Sequence, residues 1–168
     1  MPALQRLRAD HAPAVLAFEE ANRAFFAASV PDRGDAYFTD FPARHAALLA
    51  EQEAGTSHFH VLVAEDTGEV LGRFNLVDVC DGAAELGFRV AEKAAGRGLA
   101  TATVHHLFGL CRTTYALTTL HARATLANAA SRTVLRHTGF VATGEEVDLD
   151  GERGLAFVRE LGAGHREG

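Results

Sequence analysis

An α/β fold, with a mixed and mostly antiparallel sheet flanked by about four helices, is the architecture the sequence predicts. Along the 168 residues, apolar spacing changes from helical to alternating near Ser57 and back to helical near Leu99. Short Asp- and Gly-bearing turns join three consecutive alternating runs, and connections that short make neighbouring strands antiparallel. The two later helical stretches are separated by strand-like runs, which gives the order helices, three strands, helix, strand, helix, two strands.

Each element has its own signal. Val15, Leu16, Phe18, Phe25 and Phe26 recur among Glu19, Glu20, Asn22 and Arg23, so Ala12 to Phe26 reads as one or two amphipathic helices begun near Asp10 and Pro13. Ser29 to Asp40 contains Pro31, Gly34 and three aspartates and is expected to be an irregular loop. Phe41 to Gln52 reads as a helix with Asp40 as N-cap, Ala46, Ala47, Leu48 and Leu49 as its apolar stripe, and Gly55 at its end. "HFHVLVAED" and "VLGRFNLVDV" alternate about Asp66-Thr67-Gly68-Glu69, a hairpin signature, and Ala84 to Glu92 is a third strand after Asp81-Gly82. Leu99 to Leu117 returns to helical spacing, with Leu99, Thr103, His106, Leu107 and Leu110 on one side. "LTTLHARAT" is a further strand, "NAASRTVLRHTGF" a short helix ending at Gly139, and Val141 to Leu161 a closing pair of strands about Asp150-Gly151.

Composition bounds the function. With 48% apolar residues the chain can bury a core as one domain over residues 1–162, with 163–168 as a frayed tail. A formal charge of -6 gives no footprint for nucleic acid, and no apolar run is long enough for a membrane span. Cys80 and Cys111 are too few for a disulfide framework and read as two small buried hydrophobes; with no signal peptide at Met1 to Gln5, a reducing cytoplasm is expected.

The chemistry concentrates at "EKAAGRGLATATVHHLF". A strand feeding a turn of small residues and then a helix leaves backbone N–H groups unpaired at the positive end of the helix dipole, a place for anionic phosphate. Gly96 and Gly98 permit close approach, and Lys93 and Arg97 add positive charge. Leu99-Ala100 stands where a P-loop needs Lys-Ser/Thr, and the turn follows antiparallel strands where a dinucleotide fold needs a parallel unit. A turn made only for its geometry remains the alternative.

Lys93-Ala94-Ala95-Gly96-Arg97-Gly98-Leu99-Ala100 resembles the (Arg/Gln/Lys)-x-x-Gly-x-Gly/Ala turn of the GNAT acetyltransferases. "NAASRTVLRHTGF" is similar to their second landmark, an Asn opening the next helix and a Gly-Phe closing it. The likeness runs through essentially the whole chain and is nearest the branch of ribosomal-protein N-terminal acetyltransferases. It implies acetyl-CoA as co-substrate, lodged in a cleft between splayed central strands, with its pyrophosphate on the amides of Ala94 to Leu99. It also implies that Phe88-Arg89-Val90 offers backbone to the pantetheine arm, with an N–H near Val90 polarising the thioester carbonyl.

Acetyl transfer to an amine needs a neutral amine, a donor to the thioester oxygen and a proton for the leaving thiolate. Glu85 is the candidate proton acceptor, although it lies five residues before Val90 and shares its face only if a bulge intervenes; a solvated carboxylate is the alternative. Many GNAT enzymes have Tyr four residues before the Gly-Phe glycine; Leu135 stands there in this chain, and Ser131, three residues after Asn128, is the substitute acid that the resemblance implies. Asn128 is expected to cap its helix or bond the pantetheine, and Arg132 to approach the phosphates.

Phe26, Tyr37, Arg73 and Asn75 are the candidate acceptor-binding residues, beside a loop whose aspartates would attract a cationic amine. The nine histidines lack the spacing of a zinc helix, so no metal is expected. The acceptor would be a protein N-terminus or a small-molecule amine, in a monomer or homodimer. A catalytically idle acyl-CoA-binding or regulatory domain, and a phosphate binder unrelated to CoA, are the competing readings.

Overall fold

In the computed structural model, residues 2–162 are described; the tail expected at 163–168 lies outside them. Seven strands form one sheet: β1 (Ala3–Arg6), β2 (His58–Val63), β3 (Val70–Cys80), β4 (Ala83–Val90), β5 (Thr119–Thr125), β6 (Val141–Leu149) and β7 (Glu152–Glu160). Their spatial order is β1-β2-β3-β4-β5-β7-β6, and the pairing of β4 with β5 is parallel while the others are antiparallel. The helices are α1 (Ala12–Ala21), α2 (Arg23–Ala27), α3 (Asp35–Thr39), α4 (Phe41–Ala54), α5 (Leu99–Thr113) and α6 (Ala129–His137), with short 3-10 turns at Ala9–His11 and Glu92–Ala94.

The sheet separates two apolar layers. Phe74, Leu76, Leu86 and Leu120 pack on one face against Val104 and Leu107 of α5 and Leu135 of α6. Phe59 and Val61 pack on the other against Val15 and Phe18 of α1, Tyr37 of α3 and Phe41 of α4. Successive side chains of a strand point to opposite faces, so neighbours such as Phe74 and Arg73 serve different layers.

Several expectations need correction. β1 is an additional strand, too short and too polar to announce itself, and α3 forms inside the segment read as an irregular loop. Asp40 precedes α4 but its side chain makes no capping bond. Of the expected α4 stripe, Leu48 and Leu49 pack half-buried against the core while Ala46 and Ala47 are exposed; the fully buried residues are Phe41, His45 and Gln52, the His45 ring and the Gln52 amide meeting the Arg8 and Leu7 carbonyls, each at 2.9 Å. In α5 the buried line is Thr103, Val104, Leu107, Phe108 and Cys111, which leaves His106 exposed. Cys111 is buried as expected, but Cys80 is exposed at the end of β3.

Candidate active site

The parallel pairing of β4 and β5 runs from Ala83↔Thr119 to Leu86↔Ala122 and ends there, so Gly87 to Val90 has no strand on that side. No bulge produces this splay: β4 keeps unbroken register with β3 from Val77↔Glu85 to Gly72↔Val90. The bulge expected to bring Glu85 and Val90 onto one face is therefore absent. Ala91 donates its N–H to the Leu71 carbonyl at 2.8 Å. In antiparallel pairing, successive residues turn their main-chain groups alternately to either side, so Phe88 and Val90 direct theirs into the gap. Across it, the Thr125 hydroxyl of β5 donates to the Ser29 carbonyl at 2.6 Å and fixes the chain beside Val30.

A cavity of about 520 Å³ opens on this gap, walled by Phe88, Val90, the Ala94 to Gly96 turn, the start of α5 and one side of α6. Gly98 is the left-handed N-cap of α5 at φ +71°, and Gly96 stands at φ +76°. The first bond of the helix at this end runs from Ala102 N–H to the Gly98 carbonyl at 3.0 Å, so the amides of Leu99 to Thr101 precede it. Leu99, Ala100 and Thr101 line the cavity. A β-carbon built on Gly96 or Gly98 would meet no atom within 4 Å, which leaves an open cradle beside those amides. An extended arm bearing phosphate at one end fits this cavity: apolar walls, free strand backbone at the inner end and helix amides at the outer.

Asn128 caps α6, its Oδ1 accepting the Ser131 N–H at 3.1 Å. The local bonding role therefore falls to Asn128, and the half-buried Ser131 lines the cavity with a hydroxyl that has no partner among the described residues. Three expected cationic contacts turn away. Arg132 donates to the Leu126 carbonyl at 2.9 Å, exposed Lys93 pairs with Glu69, and Arg97 donates to the Lys93 carbonyl at 2.5 Å. None of the three lines the cavity, so the turn offers amides more than side-chain charge.

A second cavity, of about 400 Å³, lies on the other side of the splay and is lined by Arg33, Arg73, Asn75, Arg89, Arg123 and Leu135 among others. The two cavities share Val30, Phe88, Arg89, Asn128 and Ser131. Of the expected acceptor residues, Arg73 and Asn75 are here. Tyr37 is one step behind, its hydroxyl accepting from Arg73 at 3.0 Å in an adjoining hollow, and Phe26 lies in the first cavity under the Arg89 guanidinium.

Glu19, Arg33 and Arg123 were not foreseen. Glu19 is buried and accepts Arg33 at both oxygens, each at 3.0 Å, and Arg73 at 2.8 Å, with Arg89 at 3.7 Å. Burial would raise the Glu19 pKa, but the Arg33 hydrogen bonds and the charges of Arg33, Arg73 and Arg89 outweigh it and hold the carboxyl below its ordinary range. The loop aspartates do not face the cavity as a free anionic patch. Asp32 and Asp35 bind Arg23 at 2.8 and 2.9 Å, which with its hydrogen bonds draws the Asp32 pKa down to about 2. Arg33, from the same loop, is what reaches inward.

Glu85 shares its face of β4 with Gly87 and Arg89, pairs with Arg123 at 2.5 Å and lines neither cavity. Leu135, at 1% exposure, fills the wall where a tyrosine would offer a proton. Among the described residues, no three His, Cys, Asp or Glu side chains group to hold a metal ion, and no helix is long and apolar enough to cross a membrane.

Comparison with known proteins agrees with this geometry. The family model described as an acetyltransferase (GNAT) domain matches residues 3–141. No curated protein matches the sequence. Among solved structures, the ribosomal-protein-S5-alanine acetyltransferase of Vibrio fischeri superposes with a TM-score of 0.86 at 18% identity, over 94% of this chain and 92% of that one. Mycobacterium smegmatis RimJ, solved with CoA-disulfide, gives 0.82 at 26% identity over 94% and 80%. The spermidine N-acetyltransferase of Vibrio cholerae, solved with CoA and spermine, gives 0.76 at 14% identity over 95% of each chain.

Proposed function

This chain belongs to the GNAT family of N-acetyltransferases, and we propose that its first cavity holds acetyl-CoA while its second receives a primary amine, the two reacting where the cavities meet. The observation that supports this most directly is the shared wall of Val30, Phe88, Arg89, Asn128 and Ser131. A donor entering on one side of the splay and an acceptor on the other can react directly without a covalent enzyme intermediate.

In this reading the amides of Leu99 to Thr101 bind the pyrophosphate, and the backbone of Phe88 and Val90 aligns the pantetheine arm. An N–H of the free strand edge polarises the thioester carbonyl. The amine lone pair forms the new C–N bond, the C–S bond breaks, and Ser131 gives its hydroxyl proton to the departing thiolate, regaining one from water. The amine's own proton leaves to solvent. Glu85, held by Arg123 off both cavities, is assigned to orient that arginine instead of taking the proton.

Thiol release from acetyl-CoA over a panel of amines and peptide N-termini tests the reading, alongside a thermal-shift titration with CoA. Turnover with a CoA-dependent rise in melting temperature supports it. A rise without turnover on any acceptor favours an acyl-CoA-binding domain, consistent with Leu135 in place of a proton donor, and no rise removes the ligand assignment.

A further inference from the structure

We infer that the acceptor carries a carboxylate as well as its amine, and that Arg33, Arg73 and Arg89 recognise it; this rests on the transferase reading above. The three guanidinium groups converge on one carboxylate, that of Glu19, and all three line the acceptor cavity. One negative charge against three positive ones leaves the cluster two charges in excess, with Arg73 buried and Arg33 and Arg89 only 27% and 22% exposed. Cations so placed need a counter-ion.

Arg89 shows the deficit best. It sits 3.7 Å from Glu19, beyond hydrogen-bonding distance, and its other neighbour is the face of Phe26, 5.0 Å from the ring centre. Burial first, and then repulsion by Arg33, lower its pKa to about 10, as expected of a cation lacking a full partner. A carboxylate between Arg89 and Arg33 would accept the donors Glu19 does not use. A planar guanidinium suits that geometry.

The rest of the cavity is consistent with the same ligand. Asn75 lies on the arginine wall with its buried Oδ1 without a hydrogen-bond partner among the described residues. Arg123 is already neutralised by Glu85, while Asp148 and Asp150 stand on the lining contributed by the β6–β7 turn. Positive charge on one part of the wall and negative on another match a molecule with an amine at one point and a carboxylate at another. A polyamine would bring further positive charge toward three arginines and is disfavoured.

The carboxylate can belong to a free amino acid or to an acidic residue near a peptide N-terminus. Acceptors differing only in that group separate these sources and test the inference: L-amino acids against their amides, Asp- and Glu-initiated peptides against Asn- and Gln-initiated ones, and spermidine. A preference of about tenfold or more in kcat/KM for the acids is expected, confined to whichever source is used. In an Arg33→Gln variant, checked for folding by melting temperature, the acid-over-amide ratio should collapse toward one with the KM for acetyl-CoA within about twofold; for Arg89→Gln, whose residue lines both cavities, the collapse of that ratio alone is the readout. Equal turnover of acids, amides and spermidine overturns the inference and leaves the transferase reading intact. A chemistry-free arm adds N-acetyl-L-amino acids or their amides to the CoA-bound protein and reads thermal stabilisation. Acid-selective binding without thiol release sinks the transferase reading and keeps the carboxylate site, whereas neither selectivity nor turnover overturns both.

Discussion

The Nη1 of Arg73 donates to Oε1 of Glu19 at 2.8 Å, tying the third turn of α1 to the centre of β3 with 5% and 1% of the two side chains exposed. A buried pair of this kind adds little compared with apolar residues of the same volume, yet removing one partner strands the other. Here the carboxylate also serves Arg33 and faces Arg89, so its loss strands more than one cation. Glu19→Gln should cost about 3–5 kcal/mol, read as a lower urea midpoint. Because the folded pKa lies below the ordinary 4.5, the contribution of Glu19 is complete above that pH and is lost as pH falls through the depressed folded value. A stability gap between wild type and Glu19→Gln that fails to narrow as pH falls below 4.5 would contradict this.

His60 produces a second pH dependence in a higher window. Its Nδ1 faces the Phe74 carbonyl at 3.2 Å, which only accepts, so Nδ1 carries the proton and Nε2 accepts from the Tyr115 hydroxyl at 2.6 Å. Burial holds the neutral ring and lowers its pKa from 6.5 to about 4. The unfolded chain takes up a proton below pH 6.5 while the folded one does not, so stability falls as pH drops between those values, by up to about 3 kcal/mol. His60→Gln should flatten the stability–pH curve in that window relative to wild type. Parallel curves would show that the ring titrates freely.

Asn128 and Ser131 are separable although one hydrogen bond joins them. Asn128→Ala removes the cap on α6 and should cost about 1 kcal/mol of stability. Ser131→Ala leaves that bond, which uses the main-chain N–H, and should change stability by less than about 0.5 kcal/mol. Its effect belongs on kcat, a fall of about a hundredfold with KM for acetyl-CoA little changed. An unchanged kcat would pass the proton to water.

What was legible in the sequence is local. The Gly96-Arg97-Gly98 turn and the Asn128 cap are visible because each is determined within a few residues by backbone conformation or a hydrogen bond three positions on. The strand pairs joined by tight turns are legible for the same reason. Glu19 was not, because its partners lie 14 and 54 residues away and an acidic residue on an amphipathic helix ordinarily faces water. Nor could Asp32, Arg33 and Asp35 be sorted: one loop sends its carboxylates to Arg23 and its guanidinium to the cavity. The polar part of the buried face of α4 was missed because His45 and Gln52 are drawn inside by main-chain carbonyls just after β1, which no apolar count registers. Glu85 was placed by a bulge that the unbroken β3–β4 register does not contain.

Gly98 separates the demands of folding from those of the ligand. At φ +71° any other residue is strained, and since a β-carbon there meets nothing within 4 Å, that strain is the whole cost to the protein alone. Gly98→Ala should therefore lower stability by about 1–2 kcal/mol, a modest fall in melting temperature. With pyrophosphate against the amides of Leu99 to Thr101, the new methyl stands in the ligand's approach and turns the N-cap away from its present geometry. CoA affinity should fall by about tenfold or more, beyond what a folded but slightly weakened protein would show. Titrating CoA well below the melting temperature of the variant reads binding separately from unfolding. An unchanged dissociation constant there would mean that the glycines serve the turn alone and that the phosphates lie elsewhere.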